Sequence, residues 1–296
     1  MHHGILGAGG VGGLIGAVLA KAGEEVTFIV RQRSLAQQPR ELSLDSSFGK
    51  FTVPVSVVAK PDRPLDVLWI TVKATQLESA LESVSAEAQT GAIVPLLNGI
   101  DHVQLLREHF GRDRVIPATI AVESERIAPG VILHRSPWAR LNAASTGRAA
   151  LQTSFDQFTR FGFECNFIDN ETTLLWSKLA FLAPVALSTT AAEGTIGDVR
   201  SNPARKARFV ACIGEACAVA NANGAALNAD SILANVGKLP PQMRSSMQKD
   251  VAAGLPPELD AIAGPILRGA EKYGLPSSAT RALVDEIQQR LNSPQS

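Results

Sequence analysis

Lys178 is the only charged residue in the stretch 174–183, which is otherwise almost entirely apolar. An ammonium loses hydration on burial. A lysine in such a setting snorkels to solvent, pairs with a carboxylate, or carries a lowered pKa. The last two turn a lysine into an acid or base that works near neutral pH. Far away, Gly7-Ala8-Gly9-Gly10-Val11-Gly12 follows a short apolar run and opens a helix-type stretch. Glycines at this spacing permit a tight turn at Gly7, close approach of the backbone to a pyrophosphate at Gly9, and close helix packing at Gly12. The start of the helix would present free N–H groups and a partial positive charge to phosphates. A nucleotide-binding turn and a solitary lysine in an apolar helix together suggest a two-domain reductase.

The end of the second strand selects the dinucleotide. An acid there would accept hydrogen bonds from a ribose 2′-hydroxyl and favour NAD. The chain has Val30-Arg31-Gln32-Arg33 instead. An arginine suits a 2′-phosphate through charge-assisted hydrogen bonds, so Arg31 favours NADP(H).

These residues need a scaffold. In the first half, strand signals at 4–6, 26–30, 53–58, 67–72, 92–97, 115–120 and 164–168 alternate with helix-type segments at 10–22, 75–88, 101–109 and 148–161. Residues 131–134, after the turn at Pro129-Gly130, read as a hairpin arm. Such alternation predicts a parallel sheet covered on both faces. Past Asp169 the strand signals stop. Alanine- and leucine-rich segments at 171–192, 203–222, 256–273 and 277–292 predict an all-α domain. The expectation is an α/β N-terminal Rossmann-type domain over 1–168 and an all-α C-terminal domain over 169–296, with a short frayed end at 292–296.

Composition narrows the partners. Lys and Arg number 28 and Asp and Glu number 28, which gives no electrostatic footprint for nucleic acid or an anionic membrane. The apolar run at 174–192 is interrupted by Lys178, Pro184 and several hydroxyls, and reads as a buried core helix and not a membrane span. Cys165, Cys212 and Cys217 lack metal-type spacing and read as free thiols. No secretion signal is visible. The expected setting is the cytoplasm, with no metal, nucleic acid or membrane as partner. The helical domain is a candidate for pairing two copies as a homodimer, although no stripe marks it. His2 and His3 are assigned no role.

Several segments together resemble the ketopantoate reductase (2-dehydropantoate 2-reductase) family. They are residues 7–13, Thr71-Val72-Lys73-Ala74-Thr75-Gln76, Leu97-Asn98-Gly99, Pro129-Gly130, Trp176-Ser177-Lys178-Leu179, and Ser245-Ser246-Met247-Gln248-Lys249-Asp250 followed by Glu258-Leu259-Asp260. The blocks span nearly the whole chain. The resemblance implies NADPH-dependent reduction of a small-molecule 2-oxo acid to a 2-hydroxy acid. It implies that Lys178 is the general acid and that Glu258 lies close to it and to the cofactor. It also implies that Ser246 binds substrate, that Asn98 stands at the nicotinamide end and touches substrate, that Lys73 reaches the cofactor, and that the backbone near Glu123 passes the nicotinamide. Read without it, Ser246 could be a helix-start hydroxyl, Glu258 an acid favoured in a first helical turn, and Asn98-Gly99 a turn.

The chain departs from the family pattern at two asparagines after the lysine. Leu182 and Ala186 stand there, on the face of the helix that carries Lys178. Ala263 stands where a third asparagine is expected. The expectation is a more apolar pocket, suited to a bulkier or less polar 2-oxo acid than ketopantoate, or to another activated ketone. The alternatives are another NADP-dependent dehydrogenase on the same two-domain plan, of imine or 3-hydroxy acid type, and a non-enzymatic NADPH sensor.

Overall fold

The computed structural model describes residues 1–84 and 91–292. It divides into two units: Met1–Leu97 with His102–Leu174, and Asn98–Asp101 with Leu175–Ser296. The first contains β1 (His2–Leu6), α1 (Gly10–Lys21), β2 (Glu25–Ile29), β3 (Glu41–Ser46), β4 (Gly49–Pro54), β5 (Ser56–Val58), β6 (Val67–Ile70), α2 (Leu77–Leu81), β7 (Ala92–Pro95), α3 (His102–Phe110), β8 (Ala118–Ala121), β9 (Ser124–Ala128), β10 (Val131–His134), β11 (Arg140–Ala144), α4 (Arg148–Phe161) and β12 (Glu164–Ile168). Then α5 (Glu171–Ala191) begins, and from Leu175 it belongs to the second unit. The expected domain boundary at 168/169 lies just before this helix.

The main sheet has the order β5-β2-β1-β6-β7, and every neighbouring pair is parallel. Strands β6 and β7 are buried at every residue, which is why they read as unbroken apolar runs; β1 is buried throughout as well, its His2 and His3 included. Ile5, Leu14, Phe28, Trp69, Val94 and Phe158 are among the buried residues of this unit's core.

Two expected strands are redrawn. Residues 53–58 split, because β4 pairs antiparallel with β3 while β5 joins the main sheet. Pro54, with no N–H to extend a ladder, stands at the break. In 115–120, Val115 makes only an isolated bridge to Ile93. The strand proper, β8, pairs antiparallel with β11 in a separate sheet of order β12-β11-β8. Pro117 separates the two parts. A third sheet, β4-β3-β10-β9, contains the hairpin arm at Val131–His134. The helix expected at 75–88 is described only in part, as α2, since 85–90 lie outside the described residues; so do 293–296 of the expected frayed end.

The described part of the second unit is helical beyond Leu175: the remainder of α5, then α6 (Ile196–Ser201), α7 (Pro203–Ala222), α8 (Ala229–Gly237), α9 (Ser246–Ala252), α10 (Leu259–Tyr273) and α11 (Ser278–Asn292). The short helices α6, α8 and α9 were not anticipated. Each opens on a hydroxyl or amide cap: Thr195 in a capping box with Asp198, Asn228, and Ser245. The core gathers Leu179, Ala183, Leu187, Phe209, Ile213 and Ile266. Among the described residues, α5 alone is long and apolar enough to cross a membrane by length and composition, and 78% of its apolar window is buried inside the fold.

Candidate active site

The glycine turn joins β1 to α1. Gly7 has φ +112, and a side chain there would press on the backbone of Val72. Thr71 Oγ1 donates to the Gly7 carbonyl at 2.8 Å, which ties the turn to the end of β6. A Cβ at Gly12 would collide with the Gly7 carbonyl, and one at Gly10 with the Ser124 carbonyl. At Gly9 the outcome differs, since a Cβ would meet nothing within 4 Å. Gly9 is also the N-cap of α1, where no side chain caps the helix and no acid stands in the first turn. The backbone of α1 therefore starts at an open face with its N–H groups uncapped by side chains. That chemistry fits a dinucleotide pyrophosphate.

The other cofactor candidates of this unit follow strands. Arg31 lies just past β2, exposed, and Lys73 lies past β6. Glu123 connects β8 to β9. Its N–H donates to Ser136 Oγ at 3.0 Å, and the neighbouring Ser124 Oγ donates to the Gly10 carbonyl at 2.9 Å. The segment around Glu123 is thus held at the glycine turn. Sequence reasoning missed the buried His134 that supports it, which bonds Ser136 Oγ at 2.9 Å on one ring nitrogen and Ser46 Oγ at 2.9 Å on the other.

In the second unit, α5 carries Lys178 and is started by Asn170, whose Oδ1 accepts from the Thr173 N–H at 2.7 Å. Lys178 is partly exposed, between the buried Trp176 and Leu179. Burial among apolar neighbours pulls its ammonium down from the ordinary lysine value to about 8, while the Glu258 carboxylate pushes it upward. Glu258 is buried and immediately precedes α10, as its N-cap residue. Asn98 Nδ2 donates to Glu258 Oε2 at 3.0 Å. The short segment that carries Asn98 is pinned twice more. Gly99, at φ +82, admits the Ala261 carbonyl where a side chain would clash. Asp101 Oδ2 accepts from Arg268 Nη2 at 2.5 Å, and Arg268 Nη1 also bonds Asp260 at 2.7 Å. Lys178, Glu258 and Asn98 thus form one group.

Ser246 is the exposed first residue of α9. The helix-start hydroxyl is its neighbour Ser245, buried, which accepts from the Gln248 N–H at 3.1 Å and bonds Thr189 Oγ1 at 2.8 Å. Leu182 is half-buried against the helical core, and Ala186 and Ala263 are fully buried in it. None of the three offers a side-chain polar atom.

Comparison with known proteins identifies the family. Residues 3–146 match the family model described as ketopantoate reductase PanE/ApbA, and residues 171–291 match its C-terminal counterpart. The uncharacterized oxidoreductase YkpB of Bacillus subtilis is 29% identical over 96% of this chain and 97% of its own. The 2-dehydropantoate 2-reductase of Caulobacter vibrioides is 26% identical over 95% and 96%. A solved PanE/ApbA family ketopantoate reductase from Ralstonia eutropha JMP134 superposes with TM-score 0.85 at 26% identity, covering 99% of this chain and 100% of that one. D-mandelate dehydrogenase, solved with NADH and anilino(oxo)acetate, shares the fold with TM-score 0.87 at 19% identity, covering 99% and 98%. With both halves matched by the family's two models, the chain belongs to the ketopantoate reductase family and is an oxidoreductase.

Proposed function

We propose that this enzyme reduces a 2-oxo acid to the 2-hydroxy acid with NADPH as reductant. 2-Dehydropantoate or a related acid is the substrate. The observation that carries the reading is the grouping of Lys178, buried enough to bring its pKa to about 8, with the Glu258 carboxylate that Asn98 holds.

When bound, the nicotinamide supplies the hydride that reaches C2 of the ketone. The residues of the chain do the rest. The Gly7-Ala8-Gly9-Gly10-Val11-Gly12 turn, with the start of α1, binds the pyrophosphate. Arg31 binds toward the adenosine end, Lys73 reaches the cofactor, and Asn98, the backbone near Glu123 and Glu258 border the nicotinamide. Lys178 Nζ hydrogen-bonds the ketone oxygen, stabilises the charge that develops there and transfers a proton to it. Glu258 keeps Lys178 protonated near neutral pH. Ser246 and Asn98 contact the substrate.

Leu182, Ala186 and Ala263 remove amides that would hold a hydroxylated acid, which supports a bulkier, less polar substrate. The proposal includes a small-molecule partner, no nucleic acid or membrane, a homodimer, and action in the cytoplasm. The test is NADPH oxidation at 340 nm against ketopantoate and a panel of aliphatic and aryl 2-oxo acids. Turnover of one or more supports the reading; no turnover of any, with NADPH bound, favours a sensor.

A further inference from the structure

The carboxyl ends of β2 and β5 lie side by side. The strands pair in parallel with Ile29 opposite Val58, and the Val30 N–H continues the ladder to the Val58 carbonyl at 3.0 Å. Two residues beyond that pair stand Arg31 and Lys60. Arg31 is still extended, with φ −59 and ψ 141. β5 ends at Val58 and the chain bends at Ala59 and Lys60; neighbouring strands run about 4.8 Å apart, so both cations follow adjacent strand ends at one corner of the sheet. Both side chains are exposed. A depression of about 480 Å³ opens there, lined by Gln32, Leu35, Val57, Ala59, Lys60 and Ser83 among others. Lys60 is the charged member of that lining. The next acid along the chain, Asp62, acts on His2, at the amino end of β1 and away from this corner.

We propose that Lys60 is a second cation for the ribose 2′-phosphate, acting beside Arg31, and so a determinant of dinucleotide preference. The inference rests on the NADPH reading above. A phosphate monoester carries a charge of roughly −1.5 to −2 at neutral pH, which two monocations match and one does not. Arg31 supplies a planar fork and Lys60 a mobile point charge that reaches a second face of the same group. A 2′-hydroxyl has no charge for either to neutralise, so NADH gains nothing from Lys60.

The test is calorimetric titration of the full-length protein with 2′,5′-ADP and with 5′-ADP. Wild type, Lys60→Gln, Lys60→Arg and Arg31→Ala are compared. Lys60→Gln is expected to weaken 2′,5′-ADP about fivefold, the scale of one solvent-exposed ion pair, with 5′-ADP unchanged and with affinity regained in Lys60→Arg. Unchanged 2′,5′-ADP binding in Lys60→Gln, while Arg31→Ala still discriminates, overturns the role of Lys60 and leaves the NADPH reading standing. Equal weakening of both probes by Lys60→Gln overturns it too, since the effect is then not on the 2′-phosphate. If wild type binds the two probes equally and Arg31→Ala affects neither selectively, the NADPH reading falls and the Lys60 role with it.

Discussion

Asn98 Nδ2 donates to Glu258 Oε2 at 3.0 Å, joining residues 160 positions apart in the chain. The bond fixes one carboxylate oxygen of the group that acts electrostatically on Lys178. Its loss should therefore be read at the lysine. Glu258→Gln removes the charge that raises the Lys178 pKa, leaving burial unopposed. The high-pH limb of kcat should move to lower pH than in wild type, measurable in a pH–rate profile. A limb that stays in place would refute the electrostatic role of Glu258.

Lys178 acts as an acid only while protonated. With a pKa of about 8, the wild-type rate should hold near neutral pH and fall as pH rises through about 8. Lys178→Ala should lower kcat by about 10²- to 10⁴-fold, the usual worth of a positioned general acid, and leave NADPH affinity nearly intact. Equal turnover in the variant would remove Lys178 from the chemistry.

Arg31→Ala should raise the KM for NADPH by about tenfold or more and that for NADH little, because a charge-assisted phosphate contact is lost. Parallel changes in both constants would mean that Arg31 does not read the 2′-phosphate.

Leu182→Asn should raise kcat/KM on ketopantoate by about tenfold if the missing amide is what limits that substrate, since an unmade hydrogen bond to a substrate hydroxyl costs on the order of 1–3 kcal/mol. Steady-state assays with ketopantoate and one aryl 2-oxo acid provide the check. A flat response would assign the limit to pocket shape.

His3 predicts acid sensitivity. It is completely buried in β1 and accepts from Trp69 Nε1 at 3.3 Å. Burial lowers its pKa from 6.5 to about 4, with the Glu24 carboxylate opposing. Below about pH 6.5 the unfolded chain takes up a proton that the folded chain refuses until about pH 4. Stability is therefore fully present above 6.5 and is lost as pH falls across that window, by about 3 kcal/mol from this group. His2 and His134 are lowered by burial too and act in the same direction. Urea midpoints at pH 7.5 and 4.5 should differ less in His3→Gln than in wild type.

The parts of the site that were legible in the sequence are those where a residue type is costly without a reason. A glycine at φ +112 and a lysine amid apolar neighbours both stand out against ordinary composition. The alternation of the main sheet was legible because its central strands are buried on both faces. β3 was not, since Leu42 and Leu44 are its only apolar residues and alternate with polar ones. Ser245 and Ser246 could not be told apart, because the first residue of a helix is uncertain by one position from sequence. The attachment of Asn98 to Glu258 was beyond reach, as neither residue carries a local sign of the other. The family resemblance brought both into the site without showing the bond.

The four residues Asn98–Asp101 are an excursion. The chain leaves the first unit after Leu97, meets Glu258, Ala261 and Arg268 in the second, and returns at His102. Neither unit can be cut out by a single break with its chemistry whole. A fragment ending at Leu174 would keep the glycine turn and an asparagine with nothing to hold; a fragment beginning at Leu175 would keep Lys178 and Glu258 and lack the amide that holds Glu258. Recombination that exchanged one half of such a gene for that of a distant relative would have to restore a fit at Gly99 and at Asp101. The halves are heritable as a pair, and a change of substrate is more accessible through single positions such as Leu182 than through domain exchange.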